Sequence, residues 1–130
     1  MTTPEPIMYL SRPIEELLTD TRTVAFVGVS PNPERYSHKT AKYLQSQGYR
    51  VIPVNPAADE ILGEKAYADL SQVPDRLDMV YIVRNPKDVP PLVDQAISMG
   101  AKTVWMHEEV VNEEAGRKAE EAGLDVVMNR

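Results

Sequence analysis

The stretch Gly28-Val29-Ser30-Pro31-Asn32-Pro33-Glu34-Arg35-Tyr36-Ser37-His38-Lys39 gathers the residue types that hold an anion. Gly28 lets a backbone turn sharply, while Ser30 and Asn32 supply short polar groups suited to a turn. Arg35, His38 and Lys39 follow, where an amphipathic segment begins. If that segment is a helix, its first amides and the positive end of its dipole face the turn. A phosphate or pyrophosphate would be held there, with charge-assisted hydrogen bonds from the cations. Between Val24 and Pro56 one acid, Glu34, stands against Arg35, Lys39, Lys42 and Arg50, an island of positive charge in a chain of net charge -6.

This chemistry is binding chemistry. No serine stands in a recognisable nucleophile motif with a histidine, and the carboxylates from Glu113 onward are expected to pair with Arg117 and Lys118 at helical spacing. The absence of cysteine excludes disulfides, cysteine-ligated zinc, iron–sulfur clusters and thiol catalysis in this chain. His107-Glu108-Glu109 are adjacent on a loop with no third ligand converging on them, so no metal is expected. The acidic balance argues against nucleic-acid binding through a broad basic surface. No apolar run reaches the roughly 18 residues of a membrane span, and Met1 to Leu10 lacks the pattern of an export signal, so a cytoplasmic location is expected.

The anion-binding residues need a frame, and the 130 residues supply one domain's worth of it. Five short valine-rich runs read as strands: Val24 to Val29, Arg50 to Val54, Asp78 to Val83, Lys102 to Met106 and Leu124 to Met128. Helical spacing lies between them over 37–47, closed by Gly48, and over 86–99, closed by Gly100. A third helix, capped by Asn112, ends at Gly123. Alternating strands and helices imply right-handed crossovers and a mainly parallel five-stranded sheet with helices on both faces. The expected fold is therefore a single doubly wound, Rossmann-like α/β domain. Asn55 to Asp75 breaks the alternation and is expected to be an irregular loop with one helical turn. Residues 1–22 are expected to form a tail and a short helix, from about Arg12-Pro13 to Leu18, packed on a domain of residues 23–130.

In such sheets ligands lie outside the carboxyl ends of the strands where the strand order reverses, which points again to the turn after the first long strand. That turn is not the G-x-G-x-x-G fingerprint, because Gly28 is its only glycine, and the second strand ends at Asn55 where an acid usually holds a ribose. Both features weigh against NAD(P).

Three segments together carry a resemblance: Val27 to Ser37, then Gly48-Tyr49-Arg50-Val51-Ile52-Pro53-Val54-Asn55-Pro56, then Ile61-Leu62-Gly63-Glu64-Lys65-Ala66-Tyr67. Gly100-Ala101-Lys102, Val104-Trp105-Met106 and the closing run from Ala122 to Arg130 agree with it. The chain resembles the small stand-alone CoA-binding domain family, which is similar to the CoA-binding domain of succinyl-CoA synthetase α subunits. The resemblance implies coenzyme A or an acyl-CoA as ligand, without implying a reaction. Carried over by position, it implies contacts at Ser30, Pro31, Asn32 and Pro33, at Asn55, at Val83 and Arg84, and at Met106 and His107. Gly28, Val29, Arg35, His38 and Lys39 join them from the reading of the turn itself. One departure stands out: the synthetases have a lysine after the second strand, whereas Asn55-Pro56-Ala57-Ala58 has none, and Arg35 or Lys39 would take its place. An NAD(P)-binding domain, or the cofactor half of an acyl-CoA enzyme working with a separate chain, are the alternatives. A protein partner or a homo-oligomer stays open.

Overall fold

Valine, isoleucine and methionine make strands that are covered on both faces, and in three of them every residue is buried: Met79–Ile82, Thr103–Met106 and Asp125–Met128. The computed structural model describes residues 5–130. In chain order its elements are β1 (Ile7–Tyr9), α1 (Ile14–Asp20), β2 (Thr23–Val27), α2 (Tyr36–Ser46), β3 (Arg50–Val54), β4 (Glu60–Ile61), β5 (Glu64–Lys65), β6 (Met79–Ile82), α3 (Val89–Ser98), β7 (Thr103–Met106), α4 (Glu113–Glu121) and β8 (Asp125–Met128). Single 3-10 turns lie at Leu70–Gln72 and Pro86–Asp88.

The main sheet has six strands in the order β1-β8-β7-β6-β2-β3, with β1 antiparallel to β8 and the rest parallel. From β2 the chain crosses to β3 on one side, then returns past β2 to build β6, β7 and β8 on the other. The order therefore reverses between β2 and β6, and in such sheets ligands bind outside the carboxyl ends of the strands at that point. Helices α1 and α2 cover one face, burying Leu17 and Ala41 against Phe26, Tyr81, Trp105 and Val127. Helices α3 and α4 cover the other, burying Val93, Ala96, Ala115 and Ala119 against Val80, Ile82, Val104 and Met128.

The doubly wound architecture expected from the alternation is present, and the five expected strands are β2, β3, β6, β7 and β8. Three details differ. The sixth strand is β1, where Ile7, Met8 and Tyr9 pair with Met128, Val127 and Val126; three residues are too few to show an alternating pattern. Hidden by the same shortness, the hairpin β4–β5 lies in the 55–75 connection, turned by Leu62 and Gly63 at φ 55° and 77°. These positive values are typical of a primed turn, but leucine there gives no turn signal. Finally, Lys118 does not rest on its own helix: its Nζ meets Asp94 Oδ1 of α3 at 2.5 Å.

Candidate functional site

Gly28 ends β2 at φ +95°, and a Cβ built on it would lie 2.0 Å from the Val83 carbonyl oxygen. The position thus needs glycine twice, for its backbone angle and for its approach to the end of β6. Gly28 N–H donates to Val54 O at 3.2 Å and Val83 N–H donates to Val27 O at 2.8 Å, so three strand ends are tied together at the floor of the crevice.

The loop beyond Gly28 is organised by its own short side chains. Ser30 N–H donates to Ser37 Oγ at 3.0 Å, Asn32 N–H to Ser30 Oγ at 3.1 Å, and Glu34 N–H to Asn32 Oδ1 at 3.0 Å. These are the side-chain-to-backbone bonds that favour turns over helix, and they carry the chain over Pro31 and Pro33 to the start of α2. His38 is buried and its Nδ1 lies 2.9 Å from Ser30 O, an acceptor, so Nδ1 bears the proton. His38 therefore positions the loop through Nδ1. Ser37, a partner that sequence spacing did not reveal, locks the same residue from the other side.

Helix α2 begins after Arg35 with no side-chain cap, so its first amides depend on water or a ligand. Arg35 and Lys39 are exposed beside them and, among the described residues, form no ion pair. Asn55, after β3, donates from Nδ2 to Val29 O at 2.8 Å and accepts from Ala57 N–H at 2.7 Å, bracing the loop after β2 against the loop after β3. Arg84, after β6, is exposed and its guanidinium lies 3.4 Å from Asp88 Oδ2. An exposed pair of this length contributes little and leaves the arginine able to turn.

At the end of β7, the Met106 side chain is fully buried, as is that of Val29, so each can present only main chain to the crevice. His107 behaves differently. It is nearly buried, its Nδ1 is 2.5 Å from the Tyr81 hydroxyl, and its ring lies 5.2 Å from the ring of exposed Tyr36 at the start of α2. Burial lowers the His107 pKa against the opposing influence of Glu108 and Glu109. Burial also raises that of Tyr81, helped by Tyr36 and Glu108. The Tyr81–His107 contact joins residues 26 apart through the parallel register that sets Tyr81 beside Trp105.

At the carboxyl ends of the strands, Ser30 thus meets Ser37 and His38, Asn55 meets Val29, Gly28 lies against Val83 and Arg84, and Tyr36 lies against His107, while Arg35 and Lys39 are exposed about the start of α2. A cleft between α3 and α4, lined by Pro90, Asp94, Arg117, Lys118 and Glu121, is elsewhere and mixes both charges. Residues 22–130 match the family described as CoA binding domain. The chain belongs to that CoA-binding family. It is 36% identical over 116 residues to the uncharacterized protein YneT of Bacillus subtilis (strain 168), covering 89% of this chain and 86% of the relative. It is 32% identical over 84 residues to the alpha subunit of the ADP-forming acetate–CoA ligase II of Pyrococcus furiosus, covering 64% of this chain and 18% of that subunit. This CoA-binding domain therefore spans only a small part of that ligase subunit. Among solved structures, a hypothetical protein from Pyrococcus horikoshii OT3 superposes with a TM-score of 0.86 at 43% identity, covering 95% of this chain and 92% of that one. The dinucleotide-forming acetyl-coenzyme A synthetase 1 of Ca. Korarchaeum cryptofilum superposes with a TM-score of 0.72 at 29% identity, covering 85% of this chain and 26% of the synthetase. No helix among the described residues is long and apolar enough to cross a membrane.

Proposed function

We propose that this domain binds coenzyme A or an acyl-CoA without catalysing a reaction on it, in the cytoplasm. The pyrophosphate lies at the turn from Gly28 to Lys39, and the adenine lies between the loops after β3 and β6, near Asn55 and Arg84. The observation that carries this reading is the uncapped start of α2 with Arg35 and Lys39, which form no ion pair among the described residues, beside it, at the point where the strand order reverses. The residues fit the ligand's chemistry. The uncapped amides of α2 and two cations suit a pyrophosphate and a ribose phosphate, and internal hydrogen bonds brace the loop from Ser30 to Asn32 beside them.

CoA supplies the reactive thiol or thioester; the chain's residues bind and orient it. Arg35 and Lys39 take the place of the lysine missing after β3. Similarity to the acetate–CoA ligase subunit supports a second reading, in which the domain presents the ligand to a separate catalytic chain. The single glycine of the turn and Asn55 in place of an acid favour CoA over NAD(P).

Thermal shifts with CoA, acetyl-CoA, NAD, NADP and ATP test this directly. A ligand at a hundred times its Kd stabilises the folded state by about 2.7 kcal/mol. CoA and acetyl-CoA are expected to raise Tm and the others to leave it unchanged; a shift with NAD or NADP alone would replace the CoA reading.

A further inference from the structure

The crevice contains one titratable pair that pyrophosphate and adenine binding leave unused: Tyr81 and His107. Tyr81 is buried, stacked between Phe26 at 4.6 Å and Trp105 at 6.3 Å, and among the described residues its hydroxyl has no hydrogen-bond partner except His107 Nδ1. If Nδ1 held a proton, the hydroxyl proton of Tyr81 would be a buried donor with no acceptor, which costs more than the bond is worth. The hydroxyl therefore donates to a bare Nδ1. A neutral imidazole so arranged carries its proton on Nε2. Among the described residues Nε2 has no partner, and the sole fully buried side-chain polar atom without one is Gln95 Oε1, so Nε2 keeps some exposure to solvent.

We propose that Tyr81 fixes His107 as an Nε2–H donor for a carbonyl in the pantetheine arm of CoA, making His107 the residue by which this site distinguishes CoA compounds from nucleotides without that arm. The inference rests on the CoA reading above. Its geometry comes from the sheet: α2 starts over β2, the adenine loops follow β3 and β6, and His107 follows β7 on the opposite side from β3. β7 lies two strands from β2, about 10 Å at the usual strand spacing, so a ligand anchored by its pyrophosphate at α2 passes His107 along its arm. The arm offers amide carbonyls, and an acyl-CoA adds a thioester carbonyl. All are acceptors that a neutral N–H donor suits and an imidazole presenting a lone pair does not. Tyr36, 65% exposed at the start of α2, has its ring 5.2 Å from that of His107.

The chain has two histidines, so imidazole nitrogens are resolved without ambiguity by long-range proton–nitrogen NMR at pH 8. The expected spectrum shows His107 protonated at Nε2, with His38 as an internal contrast protonated at Nδ1. A His107 proton on Nδ1 overturns the proposal before any ligand is added. Titrations then use CoA, acetyl-CoA, the thioether S-ethyl-CoA and adenosine 3′,5′-bisphosphate with the parent, His107→Leu and Tyr81→Phe. One hydrogen bond corresponds to about 2- to 10-fold in Kd. His107→Leu is expected to weaken CoA compounds by that factor and to leave the bisphosphate unchanged. A loss shared by all three CoA compounds assigns the acceptor to an amide, and a loss confined to acetyl-CoA assigns it to the thioester. Tyr81→Phe is expected to mix the His107 tautomers and produce part of the same loss. Equal Kd values for CoA compounds in parent and His107→Leu, or an equal loss for the bisphosphate, refute the role. If CoA does not bind the parent at all, it is the CoA reading that fails, while the tautomer result stands apart from it.

Discussion

Replacing Gly28 by alanine tests whether the crevice floor is built as described. Two penalties follow from the structure. At φ +95° a side chain is strained, at a cost of about 1–2 kcal/mol. The new Cβ would also lie 2.0 Å from Val83 O and 2.9 Å from its carbonyl carbon, where contacts under 3 Å essentially never occur. The ends of β2 and β6 must part, weakening the Val83 N–H to Val27 O bond by roughly another 1 kcal/mol. Gly48 separates the two terms. It has φ +93° with nothing within 4 Å of the place a methyl group would take, so Gly48→Ala suffers the backbone penalty alone. Urea denaturation of both variants should give a loss of about 1–2 kcal/mol for Gly48→Ala and about 2–3 kcal/mol for Gly28→Ala, with CoA affinity falling only in the latter. A Gly28→Ala loss no larger than that of Gly48→Ala would refute the close approach of the strand ends.

Arg35→Ala and Lys39→Ala should each weaken CoA binding and flatten its dependence on salt while leaving the unliganded Tm unchanged, since both side chains are exposed and form no ion pair among the described residues; calorimetric titration at two ionic strengths checks this. CoA lacking its 3′-phosphate should bind more weakly if one of these cations meets that group, and unchanged binding would place the phosphate in solvent. Asn55→Ala removes the bonds to Val29 O and Ala57 N–H and should destabilise the protein by about 1–3 kcal/mol, measured by urea denaturation. Unfolded His107 titrates near its ordinary 6.5 and folded His107 below it, so across that window the unfolded chain binds more protons and stability rises with pH. Acidifying from pH 7 toward 5 should therefore lower Tm, and His107→Gln should reduce that dependence.

The parts of the molecule that were legible in the sequence are those governed by local pattern. Valine runs such as Val24 to Val27 and Arg50 to Val54 mark buried parallel strands, and Gly48 and Gly100 close the helices before β3 and β7. The turn after β2 was legible because serine, asparagine and proline are turn formers in their own right. What the sequence did not show depends on distant pairing. Ile7 to Tyr9 becomes a strand only because β8 offers an edge, and Leu62 turns a hairpin because its neighbours pair across it. Lys118 finds Asp94 because α3 and α4 lie side by side. His107 was legible as a position at a strand end, but its link to Tyr81 exists only through the register of β6 and β7. Met106 is buried as the last residue of a strand covered on both faces, and Val29 is buried because the chain, after turning at Gly28, returns it to the core that α1 and α2 cover.

The central claim is the place at which CoA is held. Amide chemical shifts followed by NMR during a CoA titration test it most directly. The account expects the largest changes at residues 28–39, at Asn55, at Val83 and Arg84, and at His107, saturating together with a single Kd. Changes centred instead on the α3–α4 cleft around Asp94 and Lys118, with the 28–39 loop unmoved, would contradict it.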